Sequence, residues 1–256
     1  MDNARLAGMS LSVAGEGPPI LLLHSLLADA GSLKPLAERL LPSMRVIIPD
    51  LPGFGGSPPV GGGLAEIAGE VVHALGTLGL DRVPVVLGNG FGSFVALRLA
   101  LDHPAFAGRL ILAGTGAGFS EAGKAAFRAM REAATRGGLE AIADVAMRRL
   151  FSPEFQAENP RLLAERRAAF LATDPAMFTE ACTALEELDL RPELARLTLP
   201  VLVVAGSLDE ATPPAMAREL VSLLPDARLA VLDGLAHVPQ LQAPDEFLAA
   251  IGEFIR

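Results

Sequence analysis

The chain alternates short apolar runs with longer segments in which apolar residues return every three or four positions. The runs at 20–23, 45–48, 83–87, 109–113, 201–205 and 228–232 predict buried strands. The segments 32–41, 64–78, 91–101, 214–224 and 244–255 carry helical spacing, with Ser32 placed to cap the first. Residues 6–13 predict a hairpin or a pair of edge strands, with Gly15, Glu16 and Gly17 as a turn after them. Strands alternating with helices build a mostly parallel, doubly wound α/β sheet covered on both faces.

That alternation stops in one place. From 118 to 190 the chain is Ala, Arg, Glu, Leu and Met in helical rhythm, broken at Gly137, Gly138, Pro153, Pro160 and Pro175. The pattern predicts several short helices inserted between two strands. Residues 1–117 and 191–256 then form the sheet core, and 118–190 a helical cap. A cap there covers the C-terminal ends of the strands, where ligands bind in such sheets.

Composition narrows the class. A chain of 256 residues with 51% hydrophobic content suits one large α/β domain. A net charge of −9 without a Lys/Arg cluster argues against nucleic acid or an anionic membrane as partner and leaves a small-molecule substrate. Cys182 is the only cysteine, which excludes an internal disulfide and a cysteine zinc cluster; its helical surroundings predict a buried, inert thiol. Nothing in the motifs requires a metal or a cofactor. No basic segment leads into an apolar stretch at the N-terminus, and the run at 20–23 is too short to span a bilayer, so the expectation is a cytoplasmic protein.

The chemistry concentrates around PVVLGNGFGSFVALRLA at 84–100. A buried strand turns there into a helix on G-x-G-x-G, the frame of a nucleophile elbow, in which the middle position carries Ser, Cys or Asp. Here the middle residue is Gly90, flanked by Gly88 and Gly92. The same letters also read as a dinucleotide-binding turn. That motif needs a carboxylate about 20 residues on, at the end of the next strand. The chain has Gly114, Thr115 and Gly116 at that point, so this reading is set aside.

Two further loops follow strands in the order acid, then base. Asp209 lies just past the run at 201–205, and His237 just past the run at 228–232. Singly, Asp209 reads as a helix cap and His237 as a loop histidine. Together, each at a strand end, they read as a dyad in which the carboxylate fixes the imidazole and leaves its other nitrogen as base. The backbone N–H groups of Phe91, after the elbow position, and of Leu26 supply an oxyanion hole. Ser93 is expected to pack against the sheet, and Ser25 to make a local hydrogen bond within the oxyanion turn. The predicted pocket joins Gly90, His237, Leu26 and Phe91 with Ser25, Met147, Phe151 and Phe178.

HSLLADAGSLKPL, DLPGFGGS, LGNGFGS, AGSLDEATPP and GLAHVPQLQAPDEF together resemble the landmarks of the α/β-hydrolases along nearly the whole chain. LATDPAMFTEACTALEELDLRPELARL resembles the cap of the 3-oxoadipate enol-lactonases and related small esterases. The chain departs from them in having no Trp or Tyr, and Leu33 stands where many relatives carry an aromatic. The resemblance implies hydrolysis of a small carboxylic ester or lactone by a nucleophile–His–Asp triad, with Gly90 at the nucleophile position. Three readings of Gly90 follow. The chain is a serine enzyme deliberately inactivated at its nucleophile, or a natural member that uses Asp209 and His237 to activate water or, as a lyase or isomerase does, to abstract a substrate proton, or a binding protein that keeps the pocket.

Overall fold

The computed structural model describes residues 2–6 and 8–256. Eight strands make one sheet: β1 (Asp2–Leu6), β2 (Met9–Ala14), β3 (Pro19–Leu23), β4 (Arg45–Pro49), β5 (Val83–Asn89), β6 (Ala107–Ala113), β7 (Val201–Gly206) and β8 (Ala227–Leu232). Their order across the sheet is β1-β2-β4-β3-β5-β6-β7-β8. β1 and β2 pair antiparallel, as do β2 and β4, and every other pairing is parallel. The hairpin expected at 6–13 therefore starts earlier, and only β1 is an edge on that side. Residue 7, inside the predicted hairpin, lies outside the described residues.

The central strands read as continuous apolar runs because both of their faces are covered. Successive side chains alternate between two layers. Leu21, Leu23, Val86, Val203 and Ala205 face one layer, and Ile20, Leu22, Val85, Leu87, Leu202 and Val204 the other. α1 (Lys34–Leu40) covers the second layer, while α2 (Leu64–Gly76) and α3 (Phe91–Asp102) cover the first. Ser32 does not cap α1. It lies in a 3₁₀ turn, Ala30–Leu33, and its buried hydroxyl donates to the Asp29 carbonyl at 2.7 Å, satisfying itself three residues back.

Between β6 and β7 run five helices: α4 (Glu121–Gly137), α5 (Ala143–Leu150), α6 (Pro153–Glu158), α7 (Pro160–Leu171) and α8 (Pro175–Glu186). Ser120, Ser152 and Asp174 accept backbone N–H groups at the starts of α4, α6 and α8. A single antiparallel bridge, Gly118 to Asp189, closes the segment at its base. Arg166 of α7 pairs with Asp29 beyond β3, and Asp174 N–H donates to Gly53 O at 2.8 Å, which hold these helices against the loops at the sheet edge. α9 (Pro214–Leu223), α10 (Pro239–Gln242) and α11 (Pro244–Ile251) complete the chain. α11 stops short of the predicted 255, where Phe254 and Ile255 N–H both turn back to Ile251 O. No helix of the described residues is long and apolar enough to cross a membrane.

The parallel register sets the site. Leu23 stands opposite Gly88, Asn89 opposite Ala113, and Gly206 opposite Leu232. The C-terminal ends of these strands therefore share one edge, and the loops that leave it carry Ser25, Gly90, Asp209 and His237.

Candidate active site

β5 ends at Asn89, Gly90 makes the turn, and α3 begins at Phe91. The turn is tight enough that a Cβ on Gly88 would meet Gly92 O at 2.3 Å, and one on Gly92 would meet Leu23 O at 2.3 Å. Gly90 has φ 53° and ψ −118°. A side chain is strained at that positive φ by about 1–3 kcal/mol, and glycine is not. A Cβ on Gly90 would stand 2.8 Å from His237 Nε2. The elbow therefore keeps its shape and aims its empty position at the imidazole.

Asp209 and His237 are both buried. His237 Nδ1 is 2.9 Å from Asp209 Oδ2, which also accepts the Thr212 hydroxyl at 2.7 Å. Asp209 Oδ1 accepts the N–H groups of Ala211 and Thr212 at 2.8 and 2.9 Å. Burial alone would push the Asp209 carboxyl up. The charge and hydrogen bond of His237, with those from Thr212, outweigh burial and hold it below the usual aspartate range. A carboxylate on Nδ1 fixes the proton there and leaves Nε2 as the base. Asn89 holds the imidazole's own loop. Its Nδ2 donates to His237 O at 2.8 Å, and its Oδ1 accepts from Gln240 Nε2 at 3.1 Å.

In the loop after β3, His24 is fully buried with both ring nitrogens engaged. Nε2 accepts Leu51 N–H at 3.0 Å, so Nδ1 carries the proton and donates to Ser25 O at 3.0 Å. Burial lowers its pKa, the bond to Ser25 O and the charges of Asp29 and Asp50 opposing, and His24 stays neutral as a strut. Sequence reasoning passed over His24, Asn89 and Gln240 because each acts through atoms remote in the chain, and over Thr212, whose bonds to Asp209 three residues back were a local signal that could have been read. Among the described residues the N–H groups of Leu26 and Phe91 have no acceptor, which leaves both donors available to a ligand oxygen.

Gly90, His237, Leu26, Phe91 and Ser25 line one cavity, with Phe94, Phe119, Phe127, Met130 and Leu185 as its apolar wall. Met147, Phe151 and Phe178 do not line it, which corrects the predicted pocket. On α5 the cavity position belongs to Arg149, two residues and about 200° around the helix from Met147. Phe151, just past α5, stacks on Phe155 with ring centroids 5.1 Å apart. Phe178 packs on Phe170 two turns before Leu185, about 10 Å along α8. Leu33 is buried with Leu36 and Leu40 in the layer across the sheet, so its departure from the aromatic pattern leaves the cavity untouched. Cys182 is buried and its thiol is pushed up to about 12 by burial, which leaves it inert.

Two hydroxyls differ in their commitments. Ser93 Oγ lies 2.7 Å from Gly88 O and 2.9 Å from Ala113 O and is spent on them. Ser25 Oγ makes no local hydrogen bond among the described residues, against the expectation; it faces His237 Nε2 at 3.5 Å. Arg149 brings a cation to the cavity wall and has no hydrogen-bond or ion-pair partner among the described residues. Burial lowers its pKa, against the charges of Asp209 and Glu210. Nothing in the pair Arg148-Arg149 marks it out from a solvated helix face.

A model of the alpha/beta hydrolase family matches residues 20–250. The chain is 31% identical to a pimeloyl-[acyl-carrier protein] methyl ester esterase of Aeromonas hydrophila over 96% of this chain and 100% of that one. It is 32% identical to 3-oxoadipate enol-lactonase 2 of Acinetobacter baylyi over 80% of this chain and 76% of that one. The crystal structure of an enol-lactonase from Burkholderia xenovorans superposes with a TM-score of 0.91 at 28% identity, covering 99% of each chain.

Proposed function

Since the chain belongs to the alpha/beta hydrolase family and is of hydrolase lineage, we propose that it hydrolyses a small carboxylic ester or lactone at the Gly90–His237 cavity. One observation carries this reading. His237 is held on Asp209 through Nδ1, while its Nε2 stands 2.8 Å from the position of an elbow Cβ. That is where a base must sit to take a proton from an oxygen attacking a carbonyl in the cavity. The carbonyl oxygen would lie between the N–H groups of Leu26 and Phe91, whose donation strengthens as negative charge builds on it. Residues 118–190 would act as the cap, placing α4, α5 and α8 over the strand ends to exclude water.

The substrate fits an apolar body with one anionic group. The Phe94–Phe119–Phe127 wall accepts hydrocarbon, and the Arg149 guanidinium, without a partner among the described residues, is matched to a carboxylate. The test compares the native chain, His237→Ala and Gly90→Ser on small aryl esters and enol-lactones, with and without a carboxylate. Turnover that His237→Ala abolishes supports the reading. If neither the native chain nor any form carrying a serine at residue 90 turns over an ester or lactone, it fails. A reaction of another substrate that needs His237 but no acyl transfer would place the chain with lyases or isomerases. Tight binding without turnover would mark a binding protein.

A further inference from the structure

The elbow position that Gly90 leaves empty is filled from the facing loop. A Cβ on Gly90 would lie 2.4 Å from Ser25 Oγ and 3.0 Å from Ser25 Cβ. The hydroxyl of Ser25 thus occupies the space an elbow side chain would need, and it faces the same imidazole nitrogen, His237 Nε2, at 3.5 Å. Catalytic hydrogen bonds in empty sites are often that long and tighten around substrate. We propose that Ser25 is the nucleophile of this chain, completing a Ser25–His237–Asp209 triad in which the attacking oxygen comes from the β3 loop instead of the β5 turn. The proposal rests on the hydrolase reading above and supplies the atom that reading lacks.

Three features of the site support the exchange. Ser25 is 1% exposed yet lines the cavity, so its hydroxyl meets whatever enters there. Its backbone is fixed: Ser25 O accepts from His24 Nδ1 at 3.0 Å and from Ala28 N at 3.3 Å. Leu26 follows Ser25 in the chain as Phe91 follows Gly90, so the residue after the nucleophile still supplies an oxyanion N–H and the other donor is unchanged. Other nearby hydroxyls are committed elsewhere. Ser93 is spent on Gly88 O and Ala113 O, and Thr212 Oγ1 donates to Asp209 on the far side of the imidazole.

The chemistry balances as acyl transfer. Ser25 Oγ bonds to the substrate carbonyl carbon while its proton passes to His237 Nε2, and the carbonyl π electrons become an oxyanion held by Leu26 and Phe91 N–H. Collapse re-forms the carbonyl and breaks the ester C–O bond, and the leaving alkoxide takes the proton from Nε2. In a lactone that alkoxide stays tethered to the acyl group. Water then attacks the acyl-Ser25 carbonyl, giving its proton to Nε2. Ser25 Oγ leaves, takes that proton back, and the carboxylic acid departs.

The experiment treats the native protein with a p-nitrophenyl alkylphosphonate, follows p-nitrophenol release, and locates the adduct by peptide mass spectrometry. The expected result is one adduct per chain on Ser25, absent in Ser25→Ala and His237→Ala. Ester turnover in Ser25→Ala should fall by at least about 10³-fold. The native labelling needs no variant, so a misfolded Ser25→Ala would not obscure it. Turnover by the native chain with no adduct on Ser25 overturns the proposal in favour of water activated directly by His237. If the native chain is inert and unlabelled but Gly90→Ser combined with Ser25→Gly turns over esters and is labelled at residue 90, the Ser25 proposal falls and the hydrolase reading stands. If that double variant is inert as well, both fall.

Discussion

An alanine at residue 90 carries two costs that experiment can separate. The first is conformational: φ of 53° strains any L side chain by about 1–3 kcal/mol. The second is steric, because the new methyl would stand 2.4 Å from Ser25 Oγ and 2.8 Å from His237 Nε2. The imidazole cannot retreat without giving up its 2.9 Å contact with Asp209, so Ser25 must rotate, and its Cβ at 3.0 Å stays tight even then. Overpacking of this kind costs about 1–3 kcal/mol. Gly90→Ala should therefore destabilise by about 2–6 kcal/mol, and by less in a Ser25→Gly background, where the strain and the His237 contact remain. At about 2–4 °C per kcal/mol, the melting temperature falls by roughly 4–24 °C in the first case and by less in the second. A double-mutant cycle of the four proteins by urea denaturation, with thermal melts beside it, isolates Ser25's share of the steric part as a coupling of up to about 1–3 kcal/mol. Additive costs would refute the claim that Ser25 fills the elbow's space. An unchanged stability of Gly90→Ala would refute the strain as well.

Two further outcomes follow from groups the fold holds in place. Arg149→Met should reduce the preference for a carboxylate-bearing ester over its neutral analogue by about 10–100-fold in kcat/KM, the worth of one charge-assisted hydrogen bond; an unchanged preference removes Arg149 from substrate recognition. His24 binds its proton less readily in the folded protein than in the unfolded chain. Its contribution to stability is therefore present above about pH 6.5 and lost as pH falls through that value, by up to about 1.4 kcal/mol per pH unit. His24→Gln should cost about 1–3 kcal/mol at pH 7 and flatten that acid-side slope, and parallel native and variant profiles in denaturant titrations would show the reasoning wrong.

Much of the fold was legible because its signals are local. The runs around 83–87 and 201–205 are apolar on both faces, a pattern a buried parallel strand needs and a surface strand does not. Gly88 and Gly92 announced a turn with no room for side chains, and the strand-end positions of Asp209 and His237 marked them as partners before any distance was known. The boundaries were less legible. Ser32 has the chemistry of a cap but spends its hydroxyl inside a 3₁₀ turn, since the helix proper begins at Lys34.

The sequence by itself determined that the Gly90 turn, Asp209 and His237 meet at one sheet edge, because chain order and the parallel strands it predicts leave them no other place. It also determined that residue 90 brings no nucleophile. Which groups face the cavity was decided only in three dimensions. Met147 and Arg149 differ by two positions in one helix, and their order around its axis puts the cation, not the thioether, on the cavity wall. Ser25 and His237 are 212 positions apart in the chain, and no local pattern ties a hydroxyl in one loop to the imidazole of another. Pairing β3 directly beside β5 brings that hydroxyl into the space Gly90 leaves open.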